Sequence, residues 1–336
     1  MSELRSFLGG SLAAAALLAA PVAEAADFYQ GKTLSIVVGF TPGGGYDAYA
    51  RLLAQFIGNH IPGKPNVIVQ NMPGAGSLTA VRSLDATQPK DGTVMVIFNP
   101  GLVTQSIVQP ETVDLDFRKI TWVGNATPDF RVCYGFGDKG IKSWDELMSG
   151  KQQFIIGSTA KGSGNYINGA TLRIVFKAPV KQILGFPGSA EQRIAIEQGE
   201  LDGDCGSFSS IPPEWVRDGK AHMFVRFAPQ RPPEIPESAI FIEDKANAQQ
   251  KALLDVLDAA DEVGRPFVIS NQVPADRIAI LRQAFDATMK DPALLAAAKT
   301  AQLAINPMTG QDSEDVVKKL VGAPPDVVKQ AKEIYE

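Results

Sequence analysis

The chain is poor in the residues on which most metal and proton-relay chemistry depends. Of 336 residues, two are cysteine (Cys133, Cys205) and two are histidine (His60, His222). Two cysteines exclude a disulfide-stapled scaffold and any four-cysteine zinc site. Two histidines leave little material for a histidine metal centre or relay. No block of Lys and Arg occurs: 32 basic residues against 37 acidic ones give a formal charge of -5 and a pI near 5.3, a poor footprint for nucleic acid. Beyond the first 26 residues no run approaches the ~18 consecutive apolar residues of a membrane span. The G-x-S-x-G elbow, the H-E-x-x-H zinc helix and the G-x-x-x-x-G-K-[ST] phosphate loop are all missing, and Lys161 precedes Gly162, on the wrong side for that cradle. Gly43-x-Gly45-x-x-Ala48 formally fits a dinucleotide fingerprint, but no acidic residue ends the next strand, Val67–Asn71, where the ribose contact belongs.

What is present is a globular composition: 45% hydrophobic and 21% charged residues, both near the average that excludes a disordered or fibrous chain. The length predicts about two domains. Residues 1–25 read as a secretory signal peptide: Arg5 in the basic region, an apolar Leu12–Ala20, and the small-x-small site Ala23-Glu24-Ala25, too short to span a bilayer. The mature chain is expected to begin at Ala26 or Asp27 and to reside in the periplasm.

Strands and helices alternate from there. Thr33–Phe40, Val67–Val69, Val94–Phe98, Ile120–Val123, Val132–Phe136, Phe154–Ile156, Gln182–Leu184 and Leu201–Cys205 read as strands. Helical spacing marks Tyr46–Gly58, Ser77–Asp85, 245–262 and 274–290, and Asp291-Pro292 opens a further helix. Ser143 with Glu146 three residues on predicts a capping box, and the last helix is expected from about Asp326 to Glu336. Repeated strand–loop–helix units predict an α/β fold with mostly parallel sheets. The Pro-rich Ala228–Pro236 reads as a linker. His60, flanked by Gly58-Asn59 and Ile61-Pro62, reads as a solvated loop residue, and His222 as packed or half exposed.

Three strand-to-helix loops carry the functional argument: Thr41-Pro42-Gly43-Gly44-Gly45-Tyr46-Asp47, Gly157–Asn165, and Gly185-Phe186-Pro187-Gly188-Ser189-Ala190. Glycine permits close backbone approach, and a helix N-terminus offers unpaired N–H groups and a positive dipole end, which together suit an anion. Each loop alone is equally an ordinary tight turn. Ser189 is expected to cap its helix.

At these residues the chain resembles the Bug family, the periplasmic substrate-binding receptors of tripartite tricarboxylate transporters. Val38-Gly39-Phe40-Thr41-Pro42-Gly43-Gly44-Gly45-Tyr46-Asp47-Ala48-Tyr49-Ala50-Arg51 is similar to the family's PGGxxDxxAR signature. Val69-Gln70-Asn71-Met72-Pro73-Gly74-Ala75-Gly76-Ser77 is similar to VENRPGAGG, with Met72 in place of the usual Arg. Pro89–Thr93, Gly188–Ser207 and Pro274–Gly310 extend the resemblance over nearly the whole mature chain. It implies a two-lobed periplasmic-binding-protein-like fold, each lobe a mostly parallel sheet flanked by helices with a ligand cleft between them. The first domain would span 27–126 plus 228–336 and the second 127–227. It implies no cofactor, no catalysis, a monomer, a small organic acid ligand (a di- or tricarboxylate or an aromatic acid) and membrane permease subunits as partners. The implied ligand-binding residues are Thr41, Gly44, Gly45, Tyr46, Asn99, Arg131, Ser158, Thr159, Ser163, Asn165, Phe186, Gly188, Ser189 and Asp204. Phe186 and Tyr46 would tolerate an aromatic ring. Asp47 is expected to tie its loop and Arg51 to pack on the helix. Arg131 and the polar Asp204-Cys205-Gly206 depart from the family pattern. Arg131 is either a ligand contact or the ion-pair partner of Asp129 or Asp204. A Cys133–Cys205 disulfide stays open, because sequence cannot bring their Cα atoms within the ~7 Å that a bridge requires. An enzyme using the same anion cleft and a periplasmic sensor are the alternatives.

Overall fold

A computed structural model describes residues 28–336; the expected signal peptide lies outside the described residues. The first sheet gathers β1 (Thr33–Val38), β2 (Asn66–Asn71), β3 (Val94–Ile97), β4 (Thr121–Asn125), β11 (Pro266–Ile269) and β12 (Met308–Thr309) in the order β12-β4-β11-β3-β1-β2. The second gathers β5 (Val132–Phe136), β6 (Phe154–Ser158), β7 (Val180–Leu184), β8 (Gly203–Asp204), β9 (Ala221–Arg226) and β10 (Ile240–Phe241) in the order β10-β9-β5-β8-β6-β7. The sheets are mixed. β1 is parallel to β2 and β3, and β6 to β7 and β8, as the strand–loop–helix reading requires. The strands that enter after the chain crosses between lobes, β5 and β11, run antiparallel to their neighbours.

Helices cover both faces of each sheet, so β1 and β3 are apolar and almost wholly buried, the pattern of strands covered on two sides. Helix α1 (Gly45–His60) lays Tyr49, Leu52, Leu53 and Ile57 on the first sheet, a stripe at three-to-four spacing. Helix α2 is Leu78–Ala86, and α3 is Gly101–Val108. The sequence gives no sign of α3: its residues are buried on nearly every side, so no polar face marks the helical period. Helix α4 (Trp144–Met148) starts at Ser143, whose side chain accepts from the Glu146 N–H at 3.1 Å. The other half of the expected capping box is displaced: the Glu146 carboxylate accepts from Lys142 N–H, one residue early. Helix α5 spans Gly164–Ile174 and α6 Ser189–Glu197. Ser189 is the first helical residue and not the cap; Gly188 occupies that position.

Helix α7 (Pro213–Arg217) leads into β9, and the Pro-rich stretch then runs to β10 before α8 (Ala248–Asp258). β10 pairs with β9, so the chain remains with the second sheet beyond the expected boundary at 228 and returns to the first only between α8 and β11. Helices α9 (Ala275–Thr288), α10 (Pro292–Thr300), α11 (Gly310–Val321) and α12 (Pro325–Tyr335) complete the chain. His60 is not a loop residue: it ends α1, and its Nε2 lies 2.9 Å from the Asp291 carboxylate that also caps α10. His222 sits half-buried on β9 against the Gly137 carbonyl. Cys133 on β5 and Cys205 just after β8 are joined in a disulfide, Cα atoms 3.9 Å apart. Helix α12 packs Ala331, Ile334 and Tyr335 against Val108 of α3, Tyr166 and Ile167 of α5, and Leu253 of α8, so it touches both lobes.

Candidate functional site

The N-termini of α1, α5 and α6 converge between the lobes. At α1 the loop is held from inside. Asp47 accepts from the Gly43 N–H and from Arg51 Nε, both at 2.8 Å, and its other oxygen accepts from Asn71 Nδ2 at 2.9 Å. Arg51 therefore ties this loop through an ion pair. Burial works against the Asp47 charge, but Arg51, the Gly43 N–H and Asn71 outweigh it and hold the carboxyl below its ordinary range. With the Gly43 N–H given to Asp47, the first N–H groups of α1, those of Gly45 and Tyr46, have no intrahelical partner. The Tyr46 ring stacks on Phe40 at 4.9 Å between centroids and faces the Arg265 guanidinium at 4.5 Å.

The lobes bond to each other directly. Thr41 Oγ1 donates to Glu191 Oε2 at 2.9 Å, Asn99 Nδ2 to the Gly162 carbonyl at 2.7 Å, and Arg193 to the Gly43 carbonyl at 2.8 Å. Glycine makes this approach possible: a Cβ on Gly188 would lie 2.1 Å from Thr41 Oγ1.

These contacts border a cavity of about 60 Å³. A water needs about 10–15 Å³ measured this way, so the space matches a small molecule. Of the residues expected to bind, Gly44, Gly45, Tyr46, Asn99, Arg131, Thr159, Ser163, Asn165, Ser189 and Asp204 line it. Four do not. Thr41 is spent on Glu191, and Gly188 packs against Thr41. Ser158 is fully buried behind the wall, where it accepts from Gln182, because the last residue of β6 points into its own lobe. Phe186 is half-buried against the apolar core of the second lobe. Phe40, Asp129, Gly164, Gln192, Gly206, Ser207 and Ser210 also line the cavity and were not anticipated.

Beneath the cavity lies a buried ionic network. Arg131 Nε meets Asp129 Oδ2 at 3.1 Å, and Arg131 Nη2 meets Asp261 Oδ1 at 2.5 Å. Arg265 Nη2 meets Asp129 Oδ1 at 3.0 Å, and Ser207 Oγ donates to Asp129 at 2.7 Å. Burial opposes the Asp129 charge, yet Arg265 and Arg131 prevail and keep its carboxyl below the usual range. Burial pushes Asp261 well above its usual value despite Arg131, and raises Asp258 to about 7. Arg131 thus both borders the cavity and pairs internally; its second partner is Asp261, not Asp204. Asp204 is buried on the cavity wall, where Oδ1 accepts from the Cys205 N–H at 2.8 Å, and burial raises it to about 7. Gln192 is 1% exposed, and neither end of its amide has a hydrogen-bond partner; Thr159 Oγ1 is likewise unpartnered. Gln192 escaped the sequence reading because it lies inside the first turn of α6, past the loop; its inward face at that turn was the available signal.

No family model matches the chain. A segment of 96 residues is 33% identical to the UPF0065 protein in the gbd 5′ region of Cupriavidus necator, covering 29% of each chain; the match thus spans under a third of that relative. Among solved structures, the periplasmic binding protein BugD has TM-score 0.75 at 17% identity, over 91% of this chain and 98% of that one. MatC from Rhodopseudomonas palustris, solved with bound malate, has TM-score 0.70 at 19% identity, over 91% and 99%. The protein has the two-lobed fold of these periplasmic binding proteins, and the expected resemblance to Bug receptors holds at the level of fold.

Proposed function

We propose that the protein is a periplasmic receptor that captures a small organic carboxylate by closure of its two lobes and delivers it to a tripartite tricarboxylate transporter permease. The observation that carries this reading is the convergence of three helix N-termini, from both lobes, on one small cavity. Free backbone N–H groups and the positive ends of helices suit a carboxylate without any dedicated cation. Gly44, Gly45 and Tyr46 would hold it from the first lobe, and Thr159, Ser163, Asn165 and Ser189 from the second. The Bug-like loop motifs, the signal-peptide pattern and the likeness of fold to MatC with bound malate support the same role. The cavity volume, the engagement of Tyr46 by Phe40 and Arg265, and the absence of Phe186 from the cavity lining favour an aliphatic acid over an aromatic one.

The test is a thermal-shift screen of refolded protein against organic acids. A ligand that binds only the folded state raises the melting temperature by mass action. A shift with small aliphatic acids, saturable and without product formation, supports the receptor. Turnover of a bound acid moves the reading to an enzyme, and a flat panel removes the carboxylate.

A further inference from the structure

We propose that the ligand carries an amino group besides its carboxylate, and that Asp204 and Gln192 read it. This deepens the receptor reading and rests on it. Asp204 is the one carboxylate on the cavity wall without a cationic partner: Asp129 has Arg131 and Arg265, whereas no ion pair among the described residues includes Asp204. Arg193, the guanidinium whose charge reaches it, is committed to the carbonyls of Gly43 and Ser210. A buried carboxylate is costly unless paired. Oδ1 accepts from the Cys205 N–H and the Asn165 side chain also bonds this carboxylate, two neutral donors that leave its charge without a counter-ion; Oδ2 lies beside Gly206, where an added Cβ would fall 2.6 Å from it. On the same cavity, Gln192 is 1% exposed with its amide oxygen unpartnered. An ammonium group donates three hydrogen bonds and accepts none, and the Asp204 carboxylate and the Gln192 amide oxygen supply acceptors of that kind. Above about pH 7, where Asp204 is ionised, a second bare carboxylate at this end would meet its charge instead. The carboxylate end of the same ligand then lies at the helix N-termini.

The experiment is isothermal titration of the whole protein at pH 8 with pairs of acids that differ only by an amino group: aspartate against succinate, β-alanine against propionate, γ-aminobutyrate against butyrate. The expected result is at least tenfold tighter binding of the amino member in any pair that binds. Asp204→Asn should abolish that preference, the affinity for the amino member falling to that for the plain acid. A plain acid binding equally or more tightly to the wild-type protein overturns the proposal and leaves the receptor intact. An amino preference undiminished in a folded Asp204→Asn variant also overturns it. If no member of any pair binds, the receptor reading and this inference both fall.

Discussion

Arg131 is the residue at which charge is most tightly balanced. It lies between Asp129 and Asp261, almost fully buried. Removing one member of a buried pair typically costs about 3–5 kcal/mol, because the partner is left charged and unsolvated. Arg131→Ala is therefore expected to lower folding stability on that scale in urea titrations. Arg131→Lys should recover little of it, since an ammonium cannot span two carboxylates as a guanidinium does. In the folded fraction, ligand binding should weaken by about 1.5–3 kcal/mol if Arg131 also touches the ligand; unchanged affinity would confine it to the internal network. Asp258 supplies a pH test. Its carboxyl is raised to about 7 by burial, so between the ordinary carboxylate range and 7 the folded state holds a proton that the unfolded state has lost. Stability from this group therefore falls as pH rises through that window. The melting temperatures at pH 5 and pH 8 should differ less in Asp258→Asn than in the wild type. Asp129, held low by Arg265 and Arg131, works in the opposite sense and loses its contribution only in stronger acid. The loop residues around the cavity, such as Thr159, Ser163 and Asn165, were legible because a strand–loop–helix pattern is local. The pairing of Arg131 with Asp261 was not, since 130 positions of chain separate the two and leave no local trace.

At the scale of the element, the ends of helices matter more than their bodies. Helix α5 begins with Gly164 directly over the Arg131 guanidinium, and a Cβ there would stand 2.2 Å from its Cζ. Gly164→Ala should displace the guanidinium, and loss of binding without comparable loss of helicity by circular dichroism is the expected outcome. The disulfide fixes another join. It links β5 to the end of β8 across a sequence separation of 72 residues, next to Asp204. Bridges of this kind stabilise by about 2–4 kcal/mol, so reductant should shift the denaturation midpoint, and the oxidised protein should show no free thiol. Strands β1 to β8 and most helices were readable from local pattern, whereas β9, β11, β12, α7 and α11 went unread. Helix α3 was not readable, because full burial erases the polar stripe, and β10 was not, because two paired residues carry too little pattern.

At the scale of the whole molecule, the lobes are joined by more than their crossing segments. Helix α12 inserts Ile334 and Tyr335 into a cluster that draws on α3 of the first lobe and α5 of the second, and the final backbone oxygen accepts from Lys161. Ending the chain before Pro325 should leave both sheets folded by far-ultraviolet circular dichroism but broaden the distance distribution between lobes in small-angle scattering. A distribution identical to the full chain would show that the crossings alone set the angle.

The hydrogen bonds from Thr41, Asn99 and Arg193 run from protein to protein across the cleft, so part of what holds the lobes together owes nothing to a guest. Capture then becomes a matter of timing. For the receptor proposed above, entry between parted lobes predicts that the observed association rate levels off at the opening rate as concentration rises, rather than climbing in proportion to it. Loosening one latch, as in Thr41→Val, should lift that plateau in stopped-flow traces and shorten the residence time of whatever is bound.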